Sequence, residues 1–143
     1  MNPFKSRGFD SIIAKGLQIE GKMVLAQSST TQLDGIMHGD SISVEPAVVG
    51  AENKSTTLVI NGSATTIRSI AVPNVTITGE VTCDSLEVTG VLAIKKGARI
   101  NCKRIEYNIL IVETGAIING HFEHISNMHL KLSLDQDTKY VTT

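Results

Sequence analysis

The chain has no tryptophan, and aromatic residues make up only 3% of its 143 positions. A base-stacking platform or an aromatic sugar cleft has almost nothing to be built from. Neither sign of charge dominates: 13 Lys and Arg stand against 14 Asp and Glu, a formal net charge of -1. That balance excludes a general electrostatic nucleic-acid binder, so no nucleic-acid partner is expected. No apolar run approaches the ~18 residues that a transmembrane helix requires. The opening MNPFKSRGFD leads into no apolar core of the kind a secretory signal carries, so a cytoplasmic location is expected. There the two cysteines should stay reduced. Only three prolines accompany twelve glycines, a ratio that fits many short strands joined by tight corners.

What is present is Ile, Val, Leu and Thr. Hydrophobic residues reach 41%, a globular value, and the length is that of one domain with a real core. β-Branched side chains pack well on pleated surfaces and lose rotamer freedom in helices.

The glycines reveal a repeat. Gly62, Gly79, Gly97 and Gly115 follow one another at steps of 17, 18 and 18. Apolar pairs keep the same step: Leu58 and Ile60, Val75 and Ile77, Leu92 and Ile94, Leu110 and Val112, then Met128 and Leu130. A second pair follows each glycine, with Val81 and Cys83 recurring as Ile100 and Cys102, then as Ile118 and Gly120. A third runs from Leu86 and Val88 to Ile105 and Tyr107, and weakens at Glu123 and Ile125. Alternation at period 2 puts both members of each pair on one face, and segments such as VTITGEVTC do not read as amphipathic helices.

Three short strands in about 18 residues describe a triangular coil with sides near 20 Å or less, which can stack on the next coil at ~4.8 Å. The predicted fold is an all-β parallel β-helix of about six coils of 16–19 residues. Ile77, Ile94 and Val112 are expected on one inward ladder. Cys83 and Cys102 are expected to stack inward on another, as small core hydrophobes. A disulfide between them is geometrically conceivable but disfavoured in a reducing compartment. Upstream, Leu17 with Ile19 and Ile42 with Val44 read as strand pairs. Gln27 to Gln32 and Glu45 to Thr57 lack the phase and read as corner insertions.

Sites for chemistry are few. There is no GxxxxGK[ST], no GxGxxG and no GxSxG, so no nucleotide or other cofactor is expected. His121, His124 and His129 have metal-like spacing, but His121 and His124 differ by three, which places them on opposite faces of a strand; they and His38 read as surface residues, with no metal. Lys95, Lys96, Arg99, Lys103 and Arg104 read as a solvated face or, alternatively, as a contact for an acidic partner or anionic lipid. The solenoid's ends matter most. An end coil presents backbone groups with no partner, and no amphipathic capping helix is apparent at either end. Ile118, Phe122 and Ile125, with Met128, Leu130, Leu132 and Leu134 beyond, would leave apolar surface there. Ile118, Phe122, Ile125 and Leu130 are therefore the predicted polymerisation contact.

The run VTITGEVTCDSLEVTG, followed by GARINCKRI and LIVETGAIINGHFEHI, resembles the core of the bactofilins, small bacterial cytoskeletal proteins. The resemblance covers most of Ala14 to Ile125 and is most specific from Val75 to Phe122. It implies a right-handed β-helix, polymerisation without nucleotide, and no catalytic residues. It further implies attachment to the inner face of the cytoplasmic membrane in many members, and roles in cell shape or in localising cell-wall enzymes. Phe4, Lys5, Arg7 and Phe9 combine an apolar anchor with cations, like the membrane-binding amino-terminal segments of that family; a plain disordered tail is the other reading. The expected layout is a flexible tail over residues 1–13, a polymerisation domain over 14–134 and a flexible tail over 135–143. The enzymatic alternative is a β-helix acyltransferase. Those enzymes resemble left-handed helices with a six-residue glycine phase and a histidine at a coil interface, whereas the glycines here repeat at 17 to 18 and no histidine lies between Val75 and Ile118.

Overall fold

Alternating β-branched segments interrupted by glycine at a fixed phase can bury their apolar side only by coiling around it. A computed structural model, which describes residues 11–45 and 55–125, shows that outcome. In chain order the strands are β1 (Ser11–Ile13), β2 (Gln18–Leu25), β3 (Thr30–Leu33), β4 (Ile36–Val44), β5 (Thr57–Ile60), β6 (Ser63–Ala71), β7 (Asn74–Ile77), β8 (Glu80–Ile94), β9 (Arg99–Val112) and β10 (Ile117–His124). Every pairing between them is parallel. Several strands bend around corners, where the pairing register shifts, as at Gly21/Lys22, Ala64/Ile67 and Val88/Val91. The described residues thus wind through three faces in six coils, residues 11–25, 30–44, 57–71, 74–88, 91–107 and 109–124. The fold is a parallel β-solenoid.

Inward ladders run down each face. On the first, Ile13, Leu33, Ile60, Ile77, Ile94 and Val112 are successive Cα partners. On the second, Ile19, Met37, Ala64, Val81, Ile100 and Ile118 follow one another. On the third the order is Met23, Ile42, Ile70, Leu86, Ile105 and Phe122. The middle members are fully buried, whereas the terminal members of each ladder are only half-buried. That gradient follows from stacking: an inner coil is covered on both sides, an end coil on one.

The glycines at the corner between the first and second faces do two different jobs. In coils 2, 3 and 4 the corner is tight, and Gly35, Gly62 and Gly79 lie against backbone carbonyls of the coil before, so that a Cβ would overlap Leu17 O, Gly35 O and Gly62 O respectively. In coils 1, 5 and 6 the corner is wider, and Gly16, Gly97 and Gly115 take left-handed φ angles of 92°, 88° and 103°. One glycine phase in the sequence therefore covers a close backbone approach and a left-handed turn. Side chains tie the tight corners together on the outside: Asn61 Nδ2 donates to Asp34 Oδ1 at 2.8 Å, and Thr78 Oγ1 donates to Asn61 Oδ1 at 2.5 Å. At the corner between the third and first faces, Asn74 spans three coils. Its Nδ2 donates to Thr56 O at 3.2 Å, and its Oδ1 accepts from Val91 N at 3.1 Å.

Several sequence expectations are corrected. Gln27 to Gln32 is not wholly an insertion, because its last residues belong to β3, paired in register with β5. The inward position there is Thr31, buried at 4% exposure, so a polar residue occupies an apolar phase. Leu17 is not inward but 55% exposed, and the inward series on its face starts at Ile19. In coil 6 the third-face pair is Phe122 and His124, opposite Ile105 and Tyr107, rather than Glu123 and Ile125. The register shift between Asn119 and His121 makes β10 one residue shorter than β9 at that corner. The chain between β4 and β5 is the longest connection, and its residues 46–54, like Met128, Leu130 and everything else beyond Ile125, lie outside the described residues. β1 lies upstream of Ala14, inside the stretch that the periodicity leaves as tail.

Candidate polymerisation surfaces

A strand at the end of a solenoid leaves one row of backbone N–H and C=O groups unmatched, and its inward side chains lack a covering layer. Among the described residues, β10 pairs with β9 alone and residues 109–112 pair with residues 91–94 alone, so coil 6 has one open side. Among the described residues β1 likewise pairs with β3 alone and β2 with β4 alone, which leaves coil 1 open in the opposite direction.

Each open side carries the half-buried ends of the core ladders. At coil 6 these are Leu110, Val112, Ala116, Ile118 and Phe122; at coil 1 they are Ile13, Ile19 and Met23. Of the residues expected at the contact, Ile118 sits beneath Ile100 and Phe122 beneath Ile105. Phe122 also packs edge-on against the buried Tyr107, ring centroids 6.1 Å apart and planes at 65°. Ile125 is half-buried at the limit of the described residues, and Leu130 lies outside them. The structure thus brings Ile118 and Phe122 onto one end surface and adds Leu110, Val112 and Ala116. The coil 1 end is missing from the sequence reading. Its signal was the same ladder phase followed upstream, obscured by Leu17 and by the polar β3.

The rim of coil 6 is charged. Glu87, Glu106 and Glu123 are register partners stacked on the third face. Arg104 makes an ion pair with Glu106 and lies 3.9 Å from Glu123. Burial pushes the Glu106 carboxyl above the ordinary range; Arg104 opposes this, and the neighbouring Glu87 and Glu123 charges add to it. At the corner of coils 5 and 6, the Lys96 backbone N–H donates to Glu113 Oε1 at 2.9 Å and holds that carboxyl below its usual range.

Other predicted features are placed differently. Three of the five basic residues around coil 5 are paired with acids. Lys95 pairs with Glu113 at 3.4 Å, Lys103 with Asp84 at 3.6 Å, and Arg104 with the glutamates, on different sides of the triangle. His124 is not a plain surface residue; its ring stands edge-on to Tyr107 at 5.3 Å and is half-buried, while His121 is exposed. His129 and the amino-terminal Phe4, Lys5, Arg7 and Phe9 lie outside the described residues. Among the described residues no group of three His, Cys, Asp or Glu side chains could hold a metal ion, and no helix is long and apolar enough to cross a membrane. Cys83 and Cys102 are register partners on the second face, both buried, both free thiols.

Comparison with known proteins agrees with this geometry. Residues 11–123 match the family model for bactofilins, described as polymer-forming cytoskeletal proteins. Neither the curated proteins nor the solved structures yield a match.

Proposed function

The chain belongs to the bactofilin family, and on that premise we propose that its filaments grow by end-to-end contact of coil 1 and coil 6 surfaces, without nucleotide. Membership makes it a polymer-forming cytoskeletal protein. The observation that carries the proposed joint is the pair of open coil ends, each lined by half-buried apolar ladder termini. Two such ends meeting would bury that surface and pair the unmatched backbone groups in one step. Long filaments in nucleotide-free buffer by negative-stain microscopy are the expected result. Protein that stays monomeric by light scattering across dilution and salt would overturn the proposal.

The polymer then serves as a scaffold on the inner face of the cytoplasmic membrane, for cell shape or for localising cell-wall enzymes. What supports the membrane contact is the pairing of Phe4 and Phe9 with Lys5 and Arg7 in one short segment. One such segment binds weakly, but a filament displays many copies at once and gains by avidity. Anionic lipid and cell-wall enzymes are accordingly its proposed partners beside itself.

A further inference from the structure

Cys83 and Cys102 stand side by side in the inner wall of coils 4 and 5, with their Sγ atoms 2.8 Å apart. They are 4% and 2% exposed. Above the pair lies Ile67, the register partner of Cys83; below it runs Gly120, whose backbone lies against the Cys102 carbonyl and offers no side chain. Nothing is therefore wedged between the sulfurs, and the ladder holds them together. A parallel strand spacing of ~4.8 Å falls within the range of ~4.4–6.8 Å between Cα atoms that a disulfide accepts, and the sulfurs need to close by less than ~1 Å to bond at ~2.05 Å.

The pair is reachable through Cys83. Cys83 lies at the corner between the second and third faces, and there it lines a surface groove of about 500 Å³ with Asp84, Arg68, Asn101 and Lys103. We propose that Cys83 and Cys102 form a modification site: a dithiol that a peroxide oxidises to a reversible disulfide stapling coil 4 to coil 5 within one subunit.

The chemistry balances with a peroxide as the only co-reactant. Either sulfur can donate in the hydrogen bond between the thiols; with Cys83 as donor, that bond and burial hold its proton more tightly than usual, and the same bond holds Cys102 below the ordinary thiol range. The Cys102 thiolate attacks one peroxide oxygen, the O–O bond breaks, and the departing oxygen leaves as water after taking a proton. Cys102 is then a sulfenic acid. The Cys83 sulfur attacks it, gives up its proton, and expels the second oxygen as water. Two thiols and one peroxide become one disulfide and two waters; the sulfurs lose two electrons and the peroxide gains them. A sulfenic acid with a resolving thiol in contact is trapped before a second peroxide reaches it. Reversibility suits a reducing compartment, where disulfides are transient rather than structural.

The test uses the full-length protein, reduced, freed of reductant and treated with hydrogen peroxide. After catalase it is denatured, exposed to a maleimide and weighed by mass spectrometry. The expected product is about 2 Da lighter than the reduced chain, takes up no maleimide, yields one peptide linking Cys83 to Cys102, and reverts with dithiothreitol. Oxidation should also raise the thermal midpoint of the wild type but of neither Cys83→Ser nor Cys102→Ala, each first checked for its fold by circular dichroism. If one variant does not fold, the other serves as control. Two maleimide-reactive thiols after a tenfold excess of peroxide would overturn the proposal. So would gains of about 32 Da at either cysteine without a link, or disulfides joining different chains.

Discussion

Gly62 lies beneath Gly35 so closely that a methyl group on it would overlap the Gly35 carbonyl oxygen. Gly97, at the same phase two coils on, has open space where its Cβ would be, yet takes a φ of 88°. The two alanine variants should therefore fail in different ways. Gly97→Ala should cost about 1–2 kcal/mol, the penalty of a left-handed alanine. Gly62→Ala must push two coils apart and should cost more, toward the upper end of the ~1–3 kcal/mol of overpacking or beyond it. Urea denaturation of both variants checks this; equal midpoints would show that the tight corner can relax.

Ile94 is fully buried between its register partners Ile77 and Val112. An Ile94→Asp change places a carboxylate there with no cation to pair it, a cost of several kcal/mol against a marginal total. The variant should lose its cooperative thermal transition. A soluble variant with an unchanged midpoint would show that this ladder does not hold the core.

Much of this was legible from the chain because Ile, Val and Leu mark an inward phase wherever they alternate, as Val75, Ile77, Leu92 and Ile94 do. The signal failed where chemistry and position parted. Thr31 is inward but polar, so β3 passed for a loop, and Leu17 is apolar but exposed. It failed again where β10 drops one residue at its corner, since the side-chain period of a strand is 2 and one missing residue exchanges Phe122 and His124 for Glu123 and Ile125. Of the candidate contact, Ile118 and Phe122 could be read from the final repeat. The facing surface at Ile13, Ile19 and Met23 was masked, because the exposed Leu17 and the polar β3 interrupt the ladder phase on its way upstream.

Phe122 joins the core on one side and the open end of coil 6 on the other, with Tyr107 at its edge. Phe122→Arg should keep the far-UV circular dichroism spectrum of a β-protein and shorten the polymers, because the guanidinium meets an apolar surface at the joint. Short oligomers by sedimentation velocity are the expected outcome. Filaments of wild-type length would place the joint elsewhere.

Glu106 supplies a pH dependence of definite sign. Its carboxyl titrates above the ordinary range because it is buried, with Glu87 and Glu123 as stacked neighbours. A raised folded-state value means that the stabilisation is complete below the ordinary glutamate value and is lost as pH rises through the higher one. Glu106→Gln should thus have a higher thermal midpoint than the wild type at neutral pH, and the gap should close below the ordinary value of 4.5. A variant less stable than the wild type at neutral pH would mean that the Arg104 ion pair outweighs burial.

Removing residues 1–8, which include Phe4, Lys5 and Arg7, should leave polymerisation intact and abolish co-sedimentation with anionic liposomes. If wild-type filaments also fail to co-sediment, the segment is a tail and the membrane contact lies elsewhere or nowhere.

The strands of all three faces run across the solenoid axis, and their hydrogen bonds run along it. Filaments joined coil to coil would repeat that spacing without interruption, so aligned fibres should diffract strongly on the meridian near 4.8 Å, the same reflection that marks cross-β amyloid. X-ray fibre patterns and amyloid-binding dyes would then register a native cytoskeletal polymer as an aggregate. The two are separable by their solution behaviour: a folded subunit with its own thermal transition re-forms the polymer after dilution, whereas a steric zipper has no folded subunit to return to.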